Sequence, residues 1–74
     1  MMNRYSVTLH GHRTSVSLEP EFWVLLKQVA EQNGLSLAAQ IQSIDDERLN
    51  AGMASGLSSA LRVYLLQHLQ NQQV

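Results

Sequence analysis

Three polar side chains in one short segment have the chemistry needed to bind a phosphate or another polar ligand. Segment 13–18 reads RTSVSL, and in it Arg13, Ser15 and Ser17 occupy every second position. Because successive side chains of a strand point to opposite faces, this alternation predicts a strand with one apolar and one polar face. The polar face would offer one guanidinium and two hydroxyl groups for hydrogen bonds, while the apolar face packs on a core.

The charge distribution singles out the same region. The net charge of the chain is −1, which argues mildly against a nucleic-acid partner. Residues 1–18, however, include Arg4, Arg13 and two histidines but no acidic residue, and all six carboxylates come later in the chain. A local basic face attracts phosphate groups even where the total charge weakens the long-range field.

A second alternating segment precedes this strand. Tyr5, Val7 and Leu9 would share one of its faces, and Arg4 lies on the other. The tripeptide at 10–12, His-Gly-His, predicts a three-residue hairpin loop in which the glycine takes a positive φ. Two histidines in a tight turn, with the third histidine far away and no cysteine, favour a structural or solvated role over a metal site.

Helices are predicted over residues 20–33, 36–48 and 57–70, and the tail at 71–74 is expected to be disordered. Pro20 suits the first position of the first helix. Leu18 and Trp23 then fall at the two positions of a hydrophobic staple, and Trp23 is expected to anchor the core.

The ends of the second helix have recognisable signals. Gly34 can end the first helix in the left-handed conformation, and Ser36 can cap the second. The acidic run at 45–47 lies near the C-terminus of the second helix, where the macrodipole disfavours negative charge. We therefore expect this helix to fray early and to lead into a small-residue linker at 49–55.

The third helix is apolar on more than half of its circumference, which predicts burial in part against a partner chain. Arg62 lies beside its apolar stripe, and a carboxylate such as Glu19 would satisfy the guanidinium. A lone polar-faced strand with two helices cannot close a core, whereas two copies can pair their strands and interlock their helices. A two-stranded ribbon of this kind fits the major groove of B-DNA.

Composition excludes several classes of protein. The 74 residues make one small domain, 1–74, and the absence of cysteine rules out disulfides and thiolate metal sites. The longest apolar run, 22–26, is too short to cross a bilayer, and no segment resembles a signal peptide, so a cytoplasmic protein without a membrane partner is expected. No nucleophile–base pair, metal cluster or phosphate-binding glycine loop is visible, so we expect neither enzyme activity nor a cofactor.

Four short blocks carry a resemblance to a known family: GHRTS at 11–15, LE at 18–19, FW at 22–23 and LSSALR at 57–62. In combination they resemble the ribbon-helix-helix superfamily, and more narrowly a family of short bacterial ribbon-helix-helix domain proteins. The similarity covers about residues 4–69.

The resemblance implies an α+β, mostly α, fold in which a β-hairpin or ribbon strand precedes three helices in an intertwined homodimer. It also implies a DNA-binding role in transcription regulation, with double-stranded DNA as the partner. Carried over residue by residue, Arg13, Ser15 and Ser17 match the base-reading strand face. Gly34 and Ser36 match the turn whose helix N-terminus binds a phosphate.

Two features depart from the simple plan of the superfamily, an additional first strand and a third helix. If each chain forms a hairpin and the hairpins pair, the sheet is about 14 Å wide. The major groove is only about 12 Å wide, so the first strand would have to form an arm or pair elsewhere, or DNA is not read in this way. The alternative function is a dimeric protein-interaction module, antitoxin-like or an adaptor, without direct DNA reading.

Overall fold

An antiparallel β-hairpin followed by three helices forms the fold, as the sequence predicts. The computed structural model describes residues 1–52 and 56–72. Its elements are strands β1 (Asn3–Leu9) and β2 (His12–Leu18) and helices α1 (Pro20–Gln32), α2 (Leu37–Asn50) and α3 (Leu57–Asn71). The predicted α+β class is therefore confirmed. Within the described ranges, no helix is long and apolar enough to cross a membrane.

The first strand is part of a hairpin and not an arm, because β1 and β2 pair along their full length, ending with Leu9 opposite His12. The predicted three-residue loop is wrong. Only His10 and Gly11 connect the strands, with φ angles of 52° and 78°. Positive φ at both loop positions corresponds to a type I′ turn, whose twist matches that of the flanking strands better than a type I or II turn would.

The junction of β2 and α1 has the geometry that the sequence predicts. Pro20 occupies the start of α1, and the carbonyl oxygen of Glu19 accepts a hydrogen bond from the Trp23 amide at 3.1 Å. Leu18 is fully buried. The partly buried Trp23 ring packs against the core and stacks on the Tyr5 ring, with centroids 3.9 Å and planes 3° apart. Trp23 thus fastens α1 to β1 at the margin of the core and not at its centre.

The turn between α1 and α2 follows from its glycine and serine. Gly34 has a φ of 69°, and the amides of Gly34 and Leu35 donate to carbonyl oxygens of the last turn of α1 at 3.1 and 2.9 Å. This pair of bonds is a Schellman motif, which satisfies carbonyl groups that a helix end leaves open. The Ser36 hydroxyl then accepts a hydrogen bond from the Ala39 amide at 3.1 Å and caps α2.

The second helix does not fray at its acidic run, so that prediction is wrong. Arg48 donates two hydrogen bonds to the nearly buried Asp45 carboxylate, from Nε at 3.0 Å and from Nη2 at 2.7 Å. This pair offsets the unfavourable charge at the helix end, and α2 continues to Asn50. The predicted linker therefore begins only at Ala51, and its residues 53–55 lie outside the described ranges.

The third helix ends at Asn71, one residue into the predicted tail. The last two residues of that tail, 73 and 74, lie outside the described part of the chain.

A single chain closes its own hydrophobic core. The inner face of the hairpin lies on the helices, with β1 against α2 and β2 against α3. The buried apolar residues come from every element: Leu9, Val16, Leu18, Leu26, Val29, Ala30, Ile41, Ile44, Ala60, Leu61 and Leu65. Both β1 and α3, the two elements beyond one strand and two helices, contribute buried residues to this core. The intertwined homodimer stays a prediction.

Candidate nucleic-acid interface

The outer face of the hairpin collects polar residues from both strands. Residues directly opposite each other in an antiparallel pair lie on the same face of the sheet. The register therefore places six side chains together, in the pairs Arg4 with Ser17, Ser6 with Ser15 and Thr8 with Arg13. None of the six is acidic, and all are exposed except the partly buried Ser17. We call this set the outer face.

The outer face is held toward solvent by the apolar residues on the opposite side of the same strands. Val16 and Leu18 of β2 are almost completely buried, and Leu9 of β1 is buried as well. A shift of the register by one residue would exchange the two faces and expose these side chains, which makes the orientation of the polar residues strongly specified. Packing of the core thus presents Arg13, Ser15 and the other members of the outer face to a partner.

The two arginines of the outer face lie near opposite ends of the hairpin. Ser17, the partner of Arg4, lies four positions along β2 from Arg13. This spacing puts the two Cα atoms roughly 14 Å apart. In the described part of the chain, neither guanidinium takes part in a hydrogen bond or an ion pair with a protein group. Arg48 and Arg62, in contrast, bind the carboxylates of Asp45 and Glu19.

Hydrogen bonds from the loop fasten the hairpin to α2. The His10 amide donates to Oε1 of Gln42 at 3.0 Å, and the His10 ring lies 2.9 Å from the Asp46 carboxylate, measured from Nε2 to Oδ1. This role of His10 was not predicted from the sequence. Its only sequence signal was a polar residue beside a turn glycine. No group of three potential metal ligands occurs in the described ranges.

Gly34 and Ser36 lie in a different part of the molecule, at the N-terminus of α2. The first turn of α2 contains no acidic residue, and Ser36 already uses its hydroxyl to bind the Ala39 amide. The amides of Leu37 and Ala38 have no partner inside the helix, as in any first helical turn. These two N–H groups, and not the Ser36 hydroxyl, are the groups that could bind an anion there.

An ion pair joins α3 to the junction of β2 and α1. The Arg62 Nε atom donates to Oε1 of Glu19 at 2.9 Å, which confirms the predicted partner of Arg62. A second contact runs from Arg62 Nη2 to the sulfur of Met2 at 3.2 Å. The hydrogen bond from Arg62 lowers the pKa of Glu19 below its usual value of 4.5, and the backbone amide of Glu19 adds to the effect. Arg62 thus links α3 to the junction of β2 and α1.

The Glu19–Arg62 pair predicts a specific dependence of stability on pH. A carboxyl group whose pKa is lowered by folding stabilises the protein above its unfolded pKa, near 4.5, and loses this effect as the pH falls through the lowered value. We expect Glu19→Gln to lower the Tm at neutral pH, and the difference from the parent protein to shrink at a pH well below 4.5. Thermal denaturation followed by circular dichroism at several pH values measures this.

Glu31→Gln is the control for this prediction. Glu31 is exposed on α1 and forms no ion pair in the described part of the chain. The Tm of Glu31→Gln should equal that of the parent protein at every pH. An equal Tm of Glu19→Gln and the parent protein at neutral pH would show that the pair does not contribute to stability.

Comparisons with known proteins agree with this architecture. A family model described as a ribbon-helix-helix domain matches residues 2–69. A solved structure of an uncharacterized protein from Bordetella pertussis Tohama I superposes with a TM-score of 0.81 at 33% sequence identity, over 97% of this chain and 58% of that one. The chain thus spans 58% of the length of that protein. The curated proteins contain no significant match. Since the family model covers almost the whole chain, this protein belongs to the ribbon-helix-helix domain family.

Proposed function

We propose that this protein is a cytoplasmic, homodimeric DNA-binding protein that regulates transcription without catalysing a reaction. Ribbon-helix-helix proteins are commonly DNA-binding regulators or antitoxins, and they typically form dimers. The observation that carries the proposal is the outer face, which combines two arginines with four hydroxyl groups and no carboxylate. Arginine forms paired hydrogen bonds with guanine, and hydroxyl groups contact bases or phosphates.

The hairpin of a single chain has the right width for the major groove. Two strands lie about 4.8 Å apart, whereas a sheet made of two paired hairpins is about 14 Å wide and exceeds the groove of about 12 Å. We therefore assign the ribbon in the groove to β1 and β2 of the same chain. A homodimer then offers two such ribbons to two half-sites on the DNA.

The roles of the outer-face residues follow from their positions. Arg13, Ser15 and Ser17 are assigned to base edges, as in the strand that they match in the family. The Cα atom of Arg4 lies about 14 Å from that of Arg13 along the hairpin. The two arginines would therefore contact the DNA at two separate positions. The free amides after Ser36, which follow the turn at Gly34, are assigned to a backbone phosphate.

Selection of bound fragments from a genomic DNA library tests the proposal. We expect the protein to enrich a limited set of duplexes at physiological salt, and the affinity for an enriched duplex to fall linearly with salt on a double-logarithmic plot. Because the net charge is only −1, binding to random DNA should be weak, and base contacts should account for the selectivity. If no duplex binds better than random DNA, the proposal fails.

The alternative is the protein-interaction module, and one observation favours it. Val63, Leu66 and Leu69 of α3 are exposed, although helix faces of soluble proteins are usually polar. A module of this kind would enrich no duplexes in the same selection. Replacing Arg13 would leave its affinity for the protein partner unchanged.

A further inference from the structure

One residue, His10, fastens the tip of the hairpin to α2 through two different groups. Its amide donates a hydrogen bond to Oε1 of Gln42 at 3.0 Å, and Nε2 of its ring lies 2.9 Å from Oδ1 of Asp46. Gln42 and Asp46 are four positions apart, so they lie on the same face of α2, one turn from each other. The loop therefore contacts two successive turns of one helix.

The backbone of His10 has an uncommon conformation. Its φ of 52° makes it the only residue other than glycine with a positive φ in the described part of the chain. A glycine would adopt this conformation with less strain and would keep the amide contact with Gln42, but it would lose the ion pair. The ring contact with Asp46 is therefore what histidine adds at this position.

These contacts lie at the end of the hairpin that presents Arg13. In the strand register, the pair of Thr8 and Arg13 is next to the last pair before the loop. The opposite end of the hairpin continues into α1 after one residue, which fixes its position through the chain itself. The tip has no such link to a helix, so its position depends on side-chain packing and on the contacts of His10.

The charges around His10 identify Asp46 as its electrostatic partner. In the described part of the chain, the ring forms an ion pair with Asp46 and with no group of α1 or α3. Two other charged residues of α2, Asp45 and Arg48, are paired with each other. Glu47 lines the groove between α2 and α3. On the hairpin itself, the residues that follow the loop are cationic or can become so, and in the described ranges they form no ion pair: His12 and Arg13.

The contact between His10 and Asp46 responds to pH. Histidine changes its charge between about pH 5 and 8. The two side chains are 48% and 47% exposed, so the ring exchanges protons with solvent without any opening of the fold. A protonated ring forms a charge-assisted hydrogen bond with a carboxylate, which is stronger than the hydrogen bond of a neutral ring. The contact is therefore strongest on the acidic side of this range and weakens as the pH rises through it.

We propose that His10 and Asp46 form a pH-dependent latch, which holds the tip of the hairpin on α2 and thereby positions Arg13 for DNA. The part that concerns DNA rests on the proposed function, whereas the latch itself does not. His10 is a positioning residue, since it acts through the hairpin. A tip that is already held in place loses less freedom when it binds, so the latched protein binds DNA more tightly.

Amide hydrogen exchange of the full chain, followed by NMR, tests the latch without DNA. Exchange rates are compared with the intrinsic rates at each pH, at about pH 5.5 and about pH 8. We expect the strand amides next to the loop to be about two- to fivefold better protected at the acidic pH, the range that an exposed ion pair supplies. Amides of α3 serve as the internal reference for changes in global stability.

Asp46→Asn should abolish this difference, because asparagine keeps the shape and the hydrogen-bonding ability of the side chain but not its charge. Glu47→Gln is the matched control. It removes the same charge from the next residue of α2 and should keep the difference between the two pH values. Equal circular dichroism spectra show that both variants are folded. Protection near the loop that does not depend on pH in the parent protein would overturn the latch.

The positioning role is tested by fluorescence anisotropy with the selected duplex. We expect the DNA affinity of the parent protein to fall by about two- to fivefold as the pH rises through the histidine range. Protonated His10 and His12 also attract phosphates directly, but Asp46→Asn keeps both histidines. A shallower pH profile of Asp46→Asn than of Glu47→Gln therefore supports the latch, and equal profiles would overturn its positioning role. If the selection enriches no duplex, the proposed function and the positioning role fail together, while hydrogen exchange still decides the latch.

Discussion

Replacing Arg13 by alanine is expected to weaken binding to a preferred DNA site by about 1–3 kcal/mol, the contribution of a good paired contact between arginine and guanine. Arg13 is exposed on the outer face, and in the described part of the chain its guanidinium makes no hydrogen bond or ion pair that would be lost with it. The fold should therefore survive the substitution. Fluorescence anisotropy with the selected duplex and with single-base variants measures the effect.

Lys27→Ala is the matched control for Arg13→Ala. It removes the same charge from an exposed position on α1, away from the hairpin. We expect Lys27→Ala to leave the affinity nearly unchanged, and Arg13→Ala to relax the preference at one base position. If both substitutions lower the affinity equally and for all sequences, Arg13 contributes only charge and does not read a base.

Ser36→Ala should distinguish phosphate binding at the N-terminus of α2 from base recognition by the hairpin. Its hydroxyl caps α2, so its loss is expected to destabilise the fold by about 1 kcal/mol. If the amides after Ser36 hold a phosphate, the substitution also weakens all duplexes alike, because a phosphate contact carries no sequence information. The comparison with Arg13→Ala thus assigns each of the two regions its role. If both substitutions leave the DNA affinity unchanged, DNA binding through these groups is excluded.

The largest effect on stability is expected for Leu61→Ala. Leu61 is fully buried in α3 and belongs to the core that also includes Leu26 and Ile41. Truncation of a fully buried leucine costs about 2–5 kcal/mol, depending on how far the cavity collapses. A domain of this size has a total stability of only about 4–11 kcal/mol, so the variant should be close to unfolding at moderate temperature.

Urea denaturation followed by circular dichroism measures this loss. Val24→Ala is the control, because Val24 is exposed and its truncation should change the free energy of unfolding by no more than about 0.5 kcal/mol. A small effect of Leu61→Ala would mean that α3 is an accessory helix and that the hairpin, α1 and α2 are stable without it.

The sequence alone determined the elements and the faces of the strands. The alternation around Arg13 and Val16 assigned each side chain to a face, because the period of a strand is two and one face had to be buried. Pro20, Gly34 and Ser36 marked helix ends through local backbone preferences, and the boundaries of the structure agree with them to within one residue at each of these ends.

Only the tertiary structure decided features that depend on contacts between distant parts of the chain. One difference was local: the acidic run was expected to fray α2, but Arg48 binds Asp45 three residues earlier in the same helix and the helix continues. His10 takes a positive φ in a shorter loop and reaches Asp46 of α2, far along the chain.

Closure of the core also depended on tertiary packing. A strand and two helices do not suffice for a core, but β1 pairs with β2 and α3 covers the other side, so that one chain encloses its own buried leucines. The apolar character of α3 by itself left open how much of the helix circumference one chain buries. Packing buried Leu61 and Leu65 and left Val63 and Leu66 exposed, since a helix can present only one side to the core of its own chain.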